Sequence, residues 1–199
     1  MREEDEVKRQ LEDNIQLQVY LQQNAKQLVT TANEIVKAFE RGNYVYIFGN
    51  GGSAADAQHF AAELAGRFYM DRNPLPAIAL TTNTSVLTAI ANDYGYENIF
   101  IRQLRAMAKK GDVAIGIGVS GNSTNVVLAL EEAKKRGLIT IGFTGSGGGK
   151  TAEIVDYLIA VPSKDTPRVQ EAHTTIYHIV CYLVEKALFG NSKTDKHDA

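Results

Sequence analysis

A chain of 199 residues with 44% hydrophobic and 22% charged content is long enough for one sizeable core and too short for two comfortable domains. Its net charge of -2 and isoelectric point near 6.1 give no basis for a nucleic-acid or anionic-membrane surface, either of which would need clustered Lys and Arg. No apolar run approaches the ~20 residues that span a bilayer, and the acidic start (Glu3, Glu4, Asp5, Glu6) does not make a signal or transit peptide, so a cytoplasmic protein is expected.

Residues 6–41 are rich in Glu, Gln, Lys and Asn, with Val7, Leu11, Leu28, Ile35, Val36 and Phe39 at mostly helical spacing and a helix stop at Gly42. A long helix with so thin an apolar stripe buries little against its own domain, which predicts a partner surface. Short apolar runs rich in β-formers follow at 44–48, 77–80, 113–119, 138–143 and 157–161, alternating with helical segments at 53–65, 84–92, 98–109 and 123–136. Such runs read as buried parallel strands joined by crossover helices. A last helix at 169–189 closes the fold. Its Cys181, the only cysteine, sits in an apolar stretch with no disulfide partner and no neighbouring base, which makes it structural. The expected architecture is one doubly wound α/β domain with a mainly parallel five-stranded sheet. Residues 1–43 would be a helical region of that domain used in oligomerisation, 44–190 the sheet-bearing part, and 191–199 a flexible tail.

Open parallel sheets bind ligands beyond the carboxyl ends of their strands, so the strand-to-helix turns are where chemistry is sought. Two stand out: Gly49-Asn50-Gly51-Gly52-Ser53 and Ser120-Gly121-Asn122-Ser123. The first fits the spacing of a dinucleotide fingerprint, yet the second strand ends in Thr81, Thr82 and Asn83 where an acidic residue should hold the ribose. A P-loop at Gly149-Lys150-Thr151 fails because Thr144 stands where a glycine is required, and a hydrolase nucleophile elbow at Gly118-Val119-Ser120 fails at Asn122. Two small-residue turns remain, each opening a helix at a serine. Exposed N–H groups, the helix dipole and a hydroxyl together suit a phosphate dianion, although Ser53 and Ser123 could equally serve only as caps.

His59 and Glu63, four residues apart, share one helix face. They could ligate a metal, share a proton transfer or form a solvated pair; the neighbours Phe60, Ala61, Ala62 and Leu64 imply a helix buried against the sheet, where a polar pair needs a partner. In the last helix His178, flanked by Ile176, Ile179 and Val180, is the histidine of interest, whereas His173 and Glu171 read as peripheral.

The run from Gly49 to Leu64, then Asn92-Asp93-Tyr94-Gly95, Ser120-Gly121-Asn122-Ser123, and Arg168-Val169-Gln170-Glu171 through His178 resemble the phosphoheptose isomerase branch of the sugar isomerase (SIS) domain family. The resemblance covers nearly the whole chain. It implies a homotetramer, one zinc ion per subunit, and conversion of sedoheptulose 7-phosphate to D-glycero-D-manno-heptose 7-phosphate at the start of nucleotide-activated heptose biosynthesis. Carried over by position, Glu63 would be the base and His178 the acid of an enediol mechanism. His59, Glu63, Gln170 and His178 would ligate zinc, and Asn50, Gly51, Gly52, Ser53, Glu63, Asn92, Asp93, Gly118, Val119, Ser120, Ser123 and Gln170 would meet the substrate.

One departure is notable: the family pattern Ser-Thr-Ser-Gly-Asn-Ser is here Gly118-Val119-Ser120-Gly121-Asn122-Ser123, two hydroxyls short. Two alternatives stand beside this reading: an isomerase for another phosphosugar, and a non-catalytic relative of the same fold, the tetramer that binds the bacterial replication initiator. The binding tetramer lacks the carboxylate and final histidine present here as Glu63 and His178. Finally, eight residues of straight helix place Gln170 and His178 ~12 Å apart along the axis, far for two ligands of one ion. Either Gln170 precedes the regular helix or one of the two serves a neighbouring subunit; a shared interfacial site, which would tie activity to oligomerisation, is the expectation.

Overall fold

The computed structural model describes residues 2–190. Five strands, β1 (Val45–Gly49), β2 (Ala77–Ala79), β3 (Val113–Gly118), β4 (Ile139–Thr144) and β5 (Tyr157–Ala160), form one sheet in the order β2-β1-β3-β4-β5. Every pairing is parallel. Alternate residues of each strand feed opposite layers, as a two-residue period requires. Val45 and Ile47 join Ile115, Ile117, Ile141 and Phe143 in the larger core, while Tyr46 and Phe48 join Phe100, Leu104 and Leu130 in the other.

The larger core is covered by α1 (Glu3–Gln23), α2 (Ala25–Glu40), α3 (Gly52–Ala65) and α8 (Thr166–Phe189); α4 (Thr84–Tyr94), α5 (Ile101–Met107), α6 (Thr124–Lys135) and α7 (Gly149–Ile154) complete the helices. The chain leaves β1 for β2 on one side and returns past β1 to β3 on the other, so the direction of winding reverses between β1 and β3. That switch point opens a crevice at the carboxyl ends of the two strands, where Gly49 pairs with Ile117.

Several boundaries differ from the sequence expectation. The N-terminal stretch is two helices, broken at Asn24 (φ -106°, ψ 20°), whose side-chain amide donates to Tyr20 O at 2.9 Å. An asparagine that bonds nearby backbone competes with helix propagation. Residues 96–98 form a 3₁₀ turn before α5, and α7 was not foreseen because it begins amid consecutive glycines. The last helix starts at Thr166, three residues early, since Pro167 in its first turn is compatible with helix and only resembles a break. Cys181 is buried, and burial pushes its thiol pKa up, as a structural role requires. The expected tail at 191–199 lies outside the described residues.

Candidate active site

The β1 turn owes its shape to Gly51, whose φ of +56° lies where only glycine is at ease and whose carbonyl accepts from the N–H groups of Ala54 and Ala55. In the β3 turn Gly121 (φ +65°) lets the chain pack directly on Gly148, and Thr151 fastens the turn by donating from N–H and hydroxyl to Gly121 O at 3.0 and 2.9 Å. Neither α3 nor α6 receives a side-chain cap hydrogen bond, so the capping reading of Ser53 and Ser123 is not what the structure shows. Instead both line a cavity of 930 Å³ at the switch point.

Asn50, Gly51, Gly52, Gly118, Val119, Ser120 and Gln170 are on the same wall. Gln170 lies so close over Gly52 that a Cβ there would collide with its amide. The Asn50 side chain is held in place: it exchanges hydrogen bonds with Asn125 at 2.8 Å in both directions and accepts from the Tyr96 hydroxyl at 2.9 Å. Its amide therefore shapes the turn. Asn92 and Asp93, bonded to each other at 2.8 Å, sit exposed at the end of α4 and do not line this cavity.

One to three turns along the same two helices, a second group forms. His59 Nε2 lies 2.9 Å from Glu63 Oε1 and 3.4 Å from His178 Nε2, and the three donor atoms fall within 4.8 Å of one another. The pair is not buried as expected from its apolar neighbours. Ser53, Ala57, Phe60, Ala61 and Leu64 form the buried stripe of α3, and His59 and Glu63 occupy its flank toward α8. Burial first, and then the nearby His59, hold His178 below the ordinary histidine pKa, which leaves it largely neutral at pH 7.

Tyr177 Oη contacts His59 Nδ1 at 2.9 Å, so the hydroxyl can donate to one tautomer or accept from the other. Asp56, one turn earlier, has its pKa raised to about 6 by burial, against smaller opposing effects of His59 and a Thr174 hydrogen bond. Tetrahedral coordination with bonds of ~2.0–2.1 Å puts neighbouring ligand atoms ~3.3–3.4 Å apart, so the two imidazoles already stand at coordinating separation with a carboxylate beside them. The donor set fits a borderline-soft divalent cation.

Two other expectations need correcting. His173 is not peripheral: it is fully buried against Thr144 O (3.3 Å) and its pKa falls to about 4 through burial. Gln170 does not precede the helix, because α8 runs unbroken through 170 and 178; the cluster of His59, Glu63 and His178 forms within one subunit. Sequence reading also passed over Lys164 and Tyr177. Lys164 stands in a strand-to-helix turn at the same sheet edge, a position that rule alone would have flagged. Tyr177 in an apolar helix reads as core, and its ring is; only the hydroxyl has a second role.

A switch-point cavity lined by Ser53, Ser120, Ser123 and Lys164, with acid–base side chains along the helices beside it, has the make-up of a small-molecule site with proton-exchanging groups at hand. The SIS domain family model matches residues 12–145. A phosphoheptose isomerase of Aneurinibacillus thermoaerophilus is 56% identical over 160 residues, 80% of this chain and 81% of that protein. The solved phosphoheptose isomerases of Neisseria gonorrhoeae (38% identical, TM-score 0.87, 92% of this chain and 98% of that one) and Francisella tularensis (34%, 0.89, 94% and 100%) have the same fold. The chain belongs to the SIS domain family and, within it, to the phosphoheptose isomerases.

Proposed function

We propose that this protein interconverts sedoheptulose 7-phosphate and D-glycero-D-manno-heptose 7-phosphate as a cytoplasmic homotetramer with one zinc ion per subunit. The observation that carries the reading is the meeting of Glu63 and His178 in one subunit, beside the switch-point cavity lined by Ser53, Ser120 and Ser123. A non-catalytic binding protein has no use for that pair. About 9 Å of helix axis separates Ser53 from His59 and about 12 Å separates Gln170 from His178, which suits a phosphorylated sugar with an extended carbon chain.

In the forward direction Glu63 removes a proton from C1, the C1–C2 enediol forms as O2 gains a proton, and return of a proton to C2 with loss of the O1 proton gives the aldose. His178 serves the two oxygens as a neutral imidazole, in keeping with its lowered pKa. Ser123 and Ser120 receive the phosphate. His59, Glu63 and His178 would hold zinc, which when bound supplies Lewis-acid polarisation of the sugar oxygens. Glu63 has two oxygens, so one can face the ion while the other takes the proton. Gln170 as a further ligand rests on the family resemblance alone.

Assembly is supported by the faces the single chain leaves bare. Val7, Leu11, Ile15 and Val19 make an exposed stripe along α1, and α4 has no buried residue. The region 1–43 would thus be both part of the domain and its oligomer surface. Among the described residues no helix is long and apolar enough to cross a membrane.

Incubating the purified protein with sedoheptulose 7-phosphate and detecting an aldoheptose phosphate tests the reaction; no product from metal-replete protein rejects it. Ser123→Ala should raise KM about fivefold with kcat little changed, the value of one net hydrogen bond. Chelation should remove activity and zinc restore it, and metal-free protein with full activity, checked by elemental analysis, would reject the metal site. Tyr177→Phe keeps the ring stacked on Phe60 but loses the contact to His59 Nδ1, and should weaken zinc binding about 10- to 100-fold in a competition titration.

A further inference from the structure

Among the described residues, Lys164 is the only charged side chain on the wall of the switch-point cavity, and no carboxylate shares that wall. It stands in the β5–α8 turn, across from the turns that sequence motifs single out. None of the ion pairs among the described residues includes it. The adjacent Asp165 is engaged elsewhere: its N–H donates to Ser163 Oγ at 3.1 Å and its charge acts on Arg9 of α1. The beginnings of three long helices reach the same wall, through Ser53 of α3, Ser123 at the cap of α6 and Thr166 of α8. Their dipoles add partial positive charge to that of the ammonium.

We propose that Lys164 is the cation that binds the substrate's phosphate, supplying by charge what the β3 turn lacks in hydroxyls at Gly118 and Val119. A lysine is a compact charge on a flexible stem, suited to neutralising a dianion without demanding a fixed geometry. The turn has room for the missing group, because a Cβ at Gly118 would meet nothing within 4 Å and the residue's φ is not positive. A serine there would project into open space at the cavity and bring back a donor. Charge from one turn and hydroxyls from another are therefore alternative ways of holding the same anion. The identity of the sugar rests on the isomerase reading above; the phosphate subsite does not.

The test is a calorimetric titration of inorganic phosphate into the wild-type full-length protein, Lys164→Gln, Lys164→Arg and the double variant Lys164→Gln/Gly118→Ser, with steady-state kinetics on sedoheptulose 7-phosphate in parallel. Lys164→Gln should weaken phosphate binding about tenfold, the worth of a hydrogen bond to a charged group, and raise KM to match while kcat holds. Lys164→Arg should stay within about threefold of wild type, and the salt dependence of wild-type binding should flatten in Lys164→Gln. The added serine should recover part of the loss, and no recovery would overturn the claim that charge stands in for the hydroxyl. Undiminished phosphate binding by Lys164→Gln, or none by the wild type, overturns the proposal whether or not the sugar is isomerised. Wild-type binding through Lys164 with no turnover of sedoheptulose 7-phosphate overturns the isomerase reading alone.

Discussion

Glu63→Gln is expected to lower kcat for sedoheptulose 7-phosphate about 10³-fold while leaving fold and assembly unchanged. The amide keeps the size and one hydrogen-bonding oxygen of the carboxylate toward His59, now 2.9 Å away, but it cannot accept a proton from carbon. His178→Ala should cost about 10²- to 10³-fold, because the base remains and only the service to the oxygens is lost. Both positions are also candidate metal ligands, so turnover alone would not separate the roles. Elemental analysis of each variant and solvent deuterium exchange do. Wild-type enzyme in D₂O should place deuterium on the carbon-bound position of recovered sugar. Metal-bearing Glu63→Gln should not. A variant that exchanges and turns over within a few-fold of wild type would remove Glu63 from the chemistry. Because Glu63 and His178 meet in one subunit, mixing the two inactive variants should give no recovery of activity.

What could be read from sequence and what could not divides along physical lines. The turns after β1 and β3 were legible because backbone function demands particular residues: Gly51 and Gly121 carry positive φ, and serines open the helices that follow. Those constraints are local. The strand runs were legible for the same reason, as buried parallel strands are continuously apolar and the helices between them are not. The placement of His59 was misjudged because apolar neighbours report that a helix is buried, not which flank faces a neighbouring helix. His173 shows the converse: two polar residues in one apolar helix, five apart, point to different places, and only the packing of α8 tells which is core. Tyr177 was invisible as a site residue because its role comes from a contact made across the fold, to a histidine 118 positions away, whereas Lys164 stands in a strand-to-helix turn that the sheet-edge rule does reach. Asn24 breaks a helix that its composition would continue, through a single side-chain hydrogen bond.

The Arg72–Glu185 pair should prove the costliest polar contact to break. Both side chains are 2% exposed and lie 2.9 Å apart. Glu185 also accepts from the N–H groups of Phe68, Tyr69 and Met70 at 3.0, 2.7 and 2.8 Å, and Arg72 donates to the carbonyls of Glu63 and Leu64 at 2.9 and 2.8 Å. The pair thereby clips the segment after α3 onto α8, beside the cluster: the ring of Phe68 lies 5.7 Å from that of His178. Glu185→Ala leaves three backbone N–H groups and the Arg72 Nε–H buried without their acceptor and the guanidinium without its counter-charge, and should cost about 3–5 kcal/mol in denaturant unfolding at fixed protomer concentration. Burial by itself would raise the Glu185 pKa; the three N–H groups and Arg72 outweigh it and hold the carboxylate below its ordinary 4.5. A depressed folded-state pKa means stabilisation that is complete above the unfolded value and lost as pH falls through the folded one. The gap in stability between wild type and Glu185→Ala should therefore be widest at neutral pH and narrow below about pH 4.5. A gap under about 1 kcal/mol at pH 7, or one that widens on acidification, would show that Glu185 is not the anchor of this segment.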